Sequence, residues 1–193
     1  MSRVIYVLLL FLVVVPTACH SMGAIHLFAD TTSLDISADI AEYGTQRIWI
    51  AYSPSDEEIY HCIWALEFMI HWDADYLVES GGPVFNEIVS WTLGSIRTGI
   101  SIGLSRELWI NEGHFFVGYF SVFGLQAIVS GSEPVILSVV GDPSYDLDTP
   151  IVSDCLTQRN SRPVQGRKFV FPYEAYIIAV ESKSWGAIKS LLF

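Results

Sequence analysis

Short segments rich in apolar residues alternate with polar, glycine- and proline-containing stretches from Gly23 onward. Segments of this kind, enriched in Ile, Val, Phe, Tyr and Trp and bounded by turn-forming residues, are typical of β-strands. The pattern predicts main strands at 23–29, 46–52, 62–72, 88–93, 98–104, 114–123 and 135–140, and a last strand at 169–171. A mostly β domain is therefore expected.

Alternation within the third predicted strand indicates which side of the sheet is packed. Its large apolar residues share one face, and they are Trp64, Leu66, Phe68, Ile70 and Trp72. Glu67 and His71 fall on the other face, because successive side chains of a strand point to opposite sides. The segment 114–123 is apolar on both faces, so we expect a central strand that is covered on both sides.

Many short strands joined by turns close most simply as two packed layers. We therefore predict an all-β fold, a two-layer antiparallel β-sandwich with Greek-key connections, over residues 22–172. A closed barrel is the alternative. Residues 173–193 are expected to form a C-terminal tail, in which Ser184 caps a short helix.

The first 21 residues have the pattern of a signal peptide. Arg3 supplies a positive charge, and an uninterrupted apolar run follows at residues 4–15. A helix of that length spans about 18 Å, whereas the hydrocarbon core of a bilayer is about 30 Å thick. We therefore predict a signal helix over residues 1–21, cleaved after Ser21, with no transmembrane segment in the mature chain. The alternative is a lipoprotein anchored through Cys19; either way the chain is expected outside the cytoplasm, extracellular or periplasmic.

The excess of acidic over basic residues argues against one class of partner, nucleic acids. The chain has 193 residues, with 10 Lys and Arg against 21 Asp and Glu, and a net charge of −11. A phosphate backbone would be repelled by most of such a surface, so no nucleic acid is expected as a partner. The hydrophobic fraction of 51% excludes an intrinsically disordered chain.

Two cysteines, Cys62 and Cys155, remain after removal of the signal peptide. In an oxidising compartment they can bridge, and a loop of this length stabilises a fold by about 4–5 kcal/mol in the chain-entropy model. The alternative is that Cys62, beside Ile63 and Trp64, is a small buried apolar residue. Neither cysteine has the cationic neighbours of a catalytic thiolate.

A formal G-x-S-x-G motif occurs at residues 99–103, with Ser101 at its centre. In an α/β hydrolase this motif is followed along the chain by an acid and then by a distant histidine. Here the last histidine is His114, too close for that architecture. The alternation of Ile100 and Ile102 with small residues favours a strand whose outward face is small, and no catalytic residue is assigned.

Two groups of aspartates are candidate ligands for a metal ion. Asp73 and Asp75 follow the third predicted strand, and Asp142, Asp146 and Asp148 lie in a later loop. Calcium prefers oxygen ligands of this kind, although aspartates beside Gly and Pro are also ordinary turn residues. The histidines lack the paired spacing of a zinc site, and no other cofactor is expected.

Four segments together resemble a group of secreted bacterial proteins, largely uncharacterised, whose sandwich is similar to cohesin domains. They are GAIHLFAD at 23–30, TGISI at 98–102, VVGDPS at 139–144 and SDC at 153–155. The chain lacks two cysteines of that group, one after the opening segment and one after TGISI, which implies a different partner for Cys155, such as Cys62. The resemblance implies location and fold, and it supplies no activity.

The ending SWGAIKSL at 184–191 resembles a short Trp-Gly-x-Val/Ile-Lys-x-Leu tail of varied secreted bacterial proteins. Such a tail is either an export or attachment signal or a docking helix.

The expected function is a non-enzymatic binding or structural module at the bacterial cell envelope or exterior, with a protein or carbohydrate partner. The alternatives are an extracellular hydrolase acting on glycosides and a cation-dependent adhesion domain. The tryptophans either fill the core or stack on sugar rings.

Overall fold

The computed structural model describes residues 23–55, 62–110, 113–145, 148–155 and 161–173. Regular structure in these ranges consists of strands and one short 3-10 turn at Pro143–Tyr145. The strands are β1 (Ala24–Phe28), β2 (Thr45–Ser53), β3 (Cys62–His71), β4 (Leu77–Glu79), β5 (Val84–Phe85), β6 (Val89–Ser95), β7 (Gly99–Trp109), β8 (Phe115–Gly124), β9 (Val135–Val140), β10 (Ile151–Asp154), β11 (Ser161–Pro163), β12 (Gln165–Gly166) and β13 (Lys168–Phe171). Within the described ranges, no helix is both long and apolar enough to cross a membrane.

The strands form two sheets. The six-stranded sheet has the order β12-β1-β2-β8-β4, and β5 also pairs with β8. The seven-stranded sheet has the order β11-β10-β3-β7-β6, with β9 paired to the C-terminal part of β3 and β13 paired to β9. Among the described strands all pairings are antiparallel except that of β1 with β12. The predicted two-layer β-sandwich is confirmed.

The inner faces of the two sheets form one apolar core. From β3 the core receives Leu66, Phe68 and Ile70, and from β2 it receives Ile48 and Ile50; all five are at most 1% exposed. Each fully buried side chain of this size contributes about 1.5–3 kcal/mol. The strict alternation that places these residues inward leaves their neighbours on the two outer faces of the sandwich.

The face assigned to Trp64 was wrong. Against β10, Ala65 pairs with Ser153 and Ile63 pairs with Asp154, so β3 has one extra residue at this point, as in a β-bulge. A bulge inserts one residue and reverses the alternation beyond it. Ile63 is therefore fully buried, whereas Trp64 is only half-buried.

The expectation that segment 114–123 is covered on both sides was also wrong. Its strand, β8, is central in the six-stranded sheet, and Val117, Phe120 and Val122 are fully buried on the inner face. Phe116 and Tyr119 point outward and are half-buried. In the described part of the chain no second layer covers them, and aromatic neighbours in the same sheet shield them instead.

The disulfide between Cys62 and Cys155 is present, with their Cα atoms 5.7 Å apart. It joins the start of β3 to the residue that follows β10, its neighbour in the sheet. Cys62 is fully buried, so the bond lies at the edge of the core. This confirms the predicted bridge, which closes a loop with a sequence separation of 93 residues.

The last described segment passes from one sheet to the other. Gln165 and Gly166 pair with β1, and two residues later β13 pairs with β9 of the seven-stranded sheet. The N–H of Arg167 donates to the carbonyl of Ile25, and the carbonyl of Arg167 accepts from the N–H of Val139. This segment therefore ties the two layers together by backbone hydrogen bonds.

The predicted signal helix at 1–21, with Cys19, and the predicted helix of the C-terminal tail lie outside the described residues. The domain limits 22–172 and 173–193 remain predictions.

Candidate functional site

The first predicted metal pair lies at the surface beyond the end of β3. Asp73 is 89% exposed, and its carboxylate contacts Nε2 of His71 at 2.8 Å. Asp75 is also exposed. A surface pair such as His71 and Asp73 contributes little free energy. Among the described residues these two aspartates do not form a close group with a third His, Cys, Asp or Glu side chain, and a cation site here stays a prediction.

The second predicted group is only partly described. Asp142 is 4% exposed, and its Oδ1 accepts a hydrogen bond from the N–H of Ser144 at 2.8 Å, which is ordinary turn geometry. Asp148 is exposed, and its backbone carbonyl accepts from the N–H of Gly141. Asp146 lies outside the described residues, so a calcium site in this loop stays a prediction.

One group of three potential ligand side chains does come together in the described residues. Sγ of Cys62, Sγ of Cys155 and a carboxylate oxygen of Glu107 lie within 4.8 Å of one another. Both sulfur atoms are consumed by the disulfide. A disulfide sulfur is not a thiolate, so this group is not a metal site.

Ser101 lies within strand β7, as the alternation predicted. It pairs with Glu67 of β3 on one side and with Leu93 of β6 on the other. A nucleophile elbow requires a sharp turn between a strand and a helix. Ser101 is therefore part of an outward-facing sheet surface.

That surface contains a groove that runs along the outer face of the seven-stranded sheet. Two rows of paired residues cross β10, β3, β7 and β6, and they are Ser153, Ala65, Gly103 and Trp91 in one row and Ile151, Glu67, Ser101 and Leu93 in the other. The middle positions are small, apart from Glu67, whereas Trp91, Leu93 and Ile151 stand at the sides. The resulting cavity has a volume of about 300 Å³.

Trp91 and Leu93 form the exposed side of this groove. Trp91 is 50% exposed and Leu93 is 66% exposed. A Cβ atom at Gly103 would lie 2.0 Å from Nε1 of Trp91, so the indole rests directly on the glycine backbone. Gly103 therefore lets the indole lie low across β7 with one face open to solvent. Trp109, near the other end of β7, is 52% exposed.

One carboxyl group, that of Glu67, lines the groove, and that of Asp142 lies near it without lining the groove. Burial raises the pKa of Glu67, and so does the nearby carboxylate of Asp142, while a hydrogen bond from Ser101 acts in the opposite direction. Oε1 of Glu67 is buried and has no hydrogen-bond partner among the described residues. The carboxyl group of Asp142 lies over Gly99, where a Cβ would be 2.2 Å from it. The groove thus combines apolar sides with one acidic side chain, Glu67, in its middle.

Sequence reasoning missed this groove. It placed Glu67 on the outer face of β3 and Ser101 on the outer face of β7, both correctly, but it did not join them. The available signal was that β6 offers two large apolar residues, Trp91 and Leu93, at alternate positions. Strand pairing, which local alternation does not specify, was needed to connect the four strands.

A second group of rings, the aromatic cluster, lies on the outer face of the six-stranded sheet. It consists of His26, Phe28, Trp49, His114, Phe116 and Tyr119, with neighbouring ring centroids 4.9–6.2 Å apart. Such distances are favourable for aromatic pairs. The guanidinium of Arg47 lies 4.2 Å from the Tyr119 ring centroid and covers part of the cluster. These rings shield one another, whereas Trp72 packs in the core against Phe120.

The aromatic cluster makes the fold sensitive to acid through His26. Its Nε2 lies 2.7 Å from Oγ of Ser53, and burial, with smaller contributions from His114 and Arg167, lowers its pKa to about 4. Between this pH and about 6.5 the folded chain keeps His26 neutral while the unfolded chain protonates it. The unfolded state then binds more protons, so stability falls as the pH falls through this window.

We expect His26 to reduce the free energy of unfolding by about 1–2 kcal/mol between pH 7 and pH 4.5, after allowance for its partial exposure. Urea unfolding at the two pH values measures this change. His26→Gln keeps a polar group near Ser53 but does not titrate, so it should lose less stability on acidification. An equal loss in both proteins would show that His26 is not responsible.

Comparison with known proteins identifies solved structures that have a similar fold. No family model matches the sequence, and a search among curated proteins finds no match. The cohesin module of a family 33 glycoside hydrolase from Clostridium perfringens has a TM-score of 0.52 and 10% sequence identity, over 78% of this chain and 95% of that module. The sixth cohesin of scaffoldin B from Acetivibrio cellulolyticus, solved in complex with a Cel5 dockerin mutant, has a TM-score of 0.46 and 10% identity, over 75% and 92%. The likeness to the Clostridium perfringens module shows a cohesin-like β-sandwich fold.

Proposed function

We propose that this chain is a non-enzymatic module that binds a protein partner on the outer face of the seven-stranded sheet. The observation that carries the proposal is the pair Trp91 and Leu93, which stand beside each other at the side of the groove and are at least half exposed. A tryptophan and a neighbouring aliphatic residue around a groove are typical anchors of a protein interface. Burial of both side chains by a partner would remove apolar surface from water.

The remaining features agree with a binding module outside the cytoplasm. A disulfide at the edge of the core is typical of oxidising compartments. The cohesin-like fold agrees with the proposal, although a fold alone does not define a function. The predicted signal peptide supports the same location.

The alternative of a glycoside hydrolase is less well supported. Glu67 has the raised pKa of a general acid, and Asp142 is the carboxylate beside it. However, Asp142 is 4% exposed, bonded to the N–H of Ser144 and packed over Gly99. A carboxylate held in this way does not face a substrate across the groove, so the pair lacks the arrangement that glycoside hydrolysis needs.

Selection of peptides from a random phage library on the immobilised full chain tests the proposal. Selected peptides, made synthetically, should bind the wild-type chain, and Trp91→Ala should reduce their affinity by at least about tenfold, as expected for an interface anchor. Intrinsic tryptophan fluorescence provides a second readout, because the Trp91 indole becomes buried on binding; the chain has six tryptophans, so the change due to Trp91 is the part that is absent from Trp91→Ala.

Ile136→Ala is the matched control. Ile136 is 44% exposed on β9, away from the groove, so its truncation removes a similar apolar surface without touching the proposed site. Its affinity for the same peptides should match the wild type within a factor of two or so. If Trp91→Ala binds the selected peptides as well as the wild type does, the groove is not the binding site.

A further inference from the structure

Glu67 is an unusual residue for the middle of an otherwise apolar and small-residue groove. It occupies the central position of its row, between Ile151 of β10 and Ser101 of β7. One carboxyl oxygen, Oε1, is buried without a hydrogen-bond partner in the described ranges. Burying an unsatisfied carboxyl oxygen is unfavourable, so this position reduces the stability of the isolated domain.

The surroundings of Glu67 supply more negative potential and no compensating cation. Among the groups that shift its pKa, the hydroxyl of Ser101 is the one that favours the ionised form, and the carboxylate of Asp142 opposes it. No basic side chain of the described residues is among these groups. Arg97, a cation of the neighbouring β6–β7 turn, lies 3.6 Å over the Trp72 ring and donates to the carbonyls of Ile70 and Trp72.

The apolar sides of the groove complete the chemistry of a site for a long basic side chain. Lys and Arg bury their aliphatic stems against apolar surface and keep their charged ends at polar groups. Leu93 and Ile151 stand on either side of Glu67 in its row, and Trp91 offers an open aromatic face nearby. A cation near an indole face gains a favourable cation–π interaction.

We propose that the protein partner inserts a lysine or arginine side chain into this groove, with its charged end on the carboxylate of Glu67 and its stem between Leu93 and Ile151. This inference rests on the proposed function, since it names the chemistry that the same groove recognises. The carboxylate of Asp142 adds negative potential near Glu67. The net charge of −11 favours the approach of a basic partner.

The same peptide selection, repeated on the Glu67→Gln chain, tests this inference. Peptides selected on the wild type should be enriched in Lys or Arg beside apolar residues, and Glu67→Gln should weaken their binding by about thirtyfold or more. Replacing the basic residue of the peptide with Gln should cause a similar loss. In a double-mutant cycle the two losses should not add, because both changes remove one contact.

A stability measurement on Glu67→Gln shows whether weaker peptide binding comes from loss of the contact or from loss of the fold. Gln has nearly the shape of Glu and removes the buried negative charge, so Glu67→Gln should unfold at the same or a higher urea concentration than the wild type. Glu42→Gln is the matched control, since it makes the same chemical change at an exposed site outside the groove. It should change peptide affinity by less than about twofold at physiological salt.

The outcomes separate this inference from the proposed function. If selected peptides depend on Trp91 but show no basic preference, or bind Glu67→Gln equally well, the groove binds peptides and the basic anchor is wrong. If no peptide binding depends on Trp91, the proposed function itself fails. Trp91-dependent self-association in sedimentation, or Trp91-dependent binding of oligosaccharides without peptide binding, would assign the groove to a second copy or to a sugar and would overturn the inference.

Discussion

Breaking the disulfide between Cys62 and Cys155 should lower the free energy of unfolding by about 4–5 kcal/mol. The bond closes a loop with a sequence separation of 93 residues, so its loss frees a large part of the unfolded chain. For a domain of this size the change corresponds to a fall of roughly 10–20 °C in Tm. Thermal and urea unfolding of the oxidised and reduced wild-type chain measure the effect.

A double variant, Cys62→Ala with Cys155→Ala, separates the cross-link from the reductant. It should resemble the reduced wild type, with a further small loss because Cys62 is fully buried and its sulfur fills space in the core. Dithiothreitol should leave the double variant unchanged. Equal stability of oxidised and reduced wild type would show that strand pairing between β3 and β10 suffices without the bond.

Gly166→Ala should destabilise the domain by about 3 kcal/mol or more. A Cβ atom at this position would lie 1.8 Å from the carbonyl oxygen of Val139, which is backbone of the neighbouring strand and cannot rotate away. The clash falls where Arg167 bonds to both Ile25 and Val139, so relief of the clash would break contacts between the two layers. Urea denaturation compared with the wild type checks this expectation.

Gly82→Ala is the control for the loss of a glycine. No heavy atom lies within 4 Å of the corresponding Cβ position, so the substitution should change the free energy of unfolding by less than about 0.5 kcal/mol. If the two variants were equally stable, the close approach of Gly166 to Val139 would have no energetic consequence. A result between these extremes would measure how far β9 moves aside.

The long strands were predictable because the pattern of apolar residues that identifies each strand lies within its own segment of the sequence. Observed β2, β3 and β9 begin and end within a residue or so of the predicted segments 46–52, 62–72 and 135–140. β7 continues to Trp109, five residues beyond its predicted end at 104. The short strands β4, β5, β10, β11 and β12 were missed, since two to four residues are too few to show alternation.

Errors in the local prediction arose where neighbouring strands changed the environment. A bulge between Ile63 and Ala65, seen in the pairing of β3 with β10, turned Trp64 away from the core, and no feature of the segment alone signals a bulge. The outward rings of β8 looked like evidence for a second covering layer. Instead they pack sideways against Trp49 of β2, a contact that exists only once the two strands are paired.

In the candidate site, too, the individual strands were predictable from the sequence, whereas the contacts between strands were not. Glu67, Ser101 and Trp91 were each placed on a strand from sequence, but they are distributed over three strands that are brought together by pairing. The predicted aspartate pair at Asp73 and Asp75 is exposed, and among the described residues no third His, Cys, Asp or Glu side chain groups with it, so calcium binding there stays a prediction. Spacing along the chain specifies which residues share a face, but it does not specify what lies across from them.

By itself the sequence determined the strand segments, the inward faces of most of them and the presence of two cysteines, because alternation of apolar and polar side chains is a local property. It also determined the acidic charge of the chain. Only the tertiary structure decided that Cys62 is bonded to Cys155, that Gly166 lies against the carbonyl of Val139, and that Glu67 lies between Ile151 and Ser101 with Oε1 buried and without a hydrogen-bond partner among the described residues. Those facts depend on contacts between residues far apart in the chain, which form only when the two sheets close on their shared core.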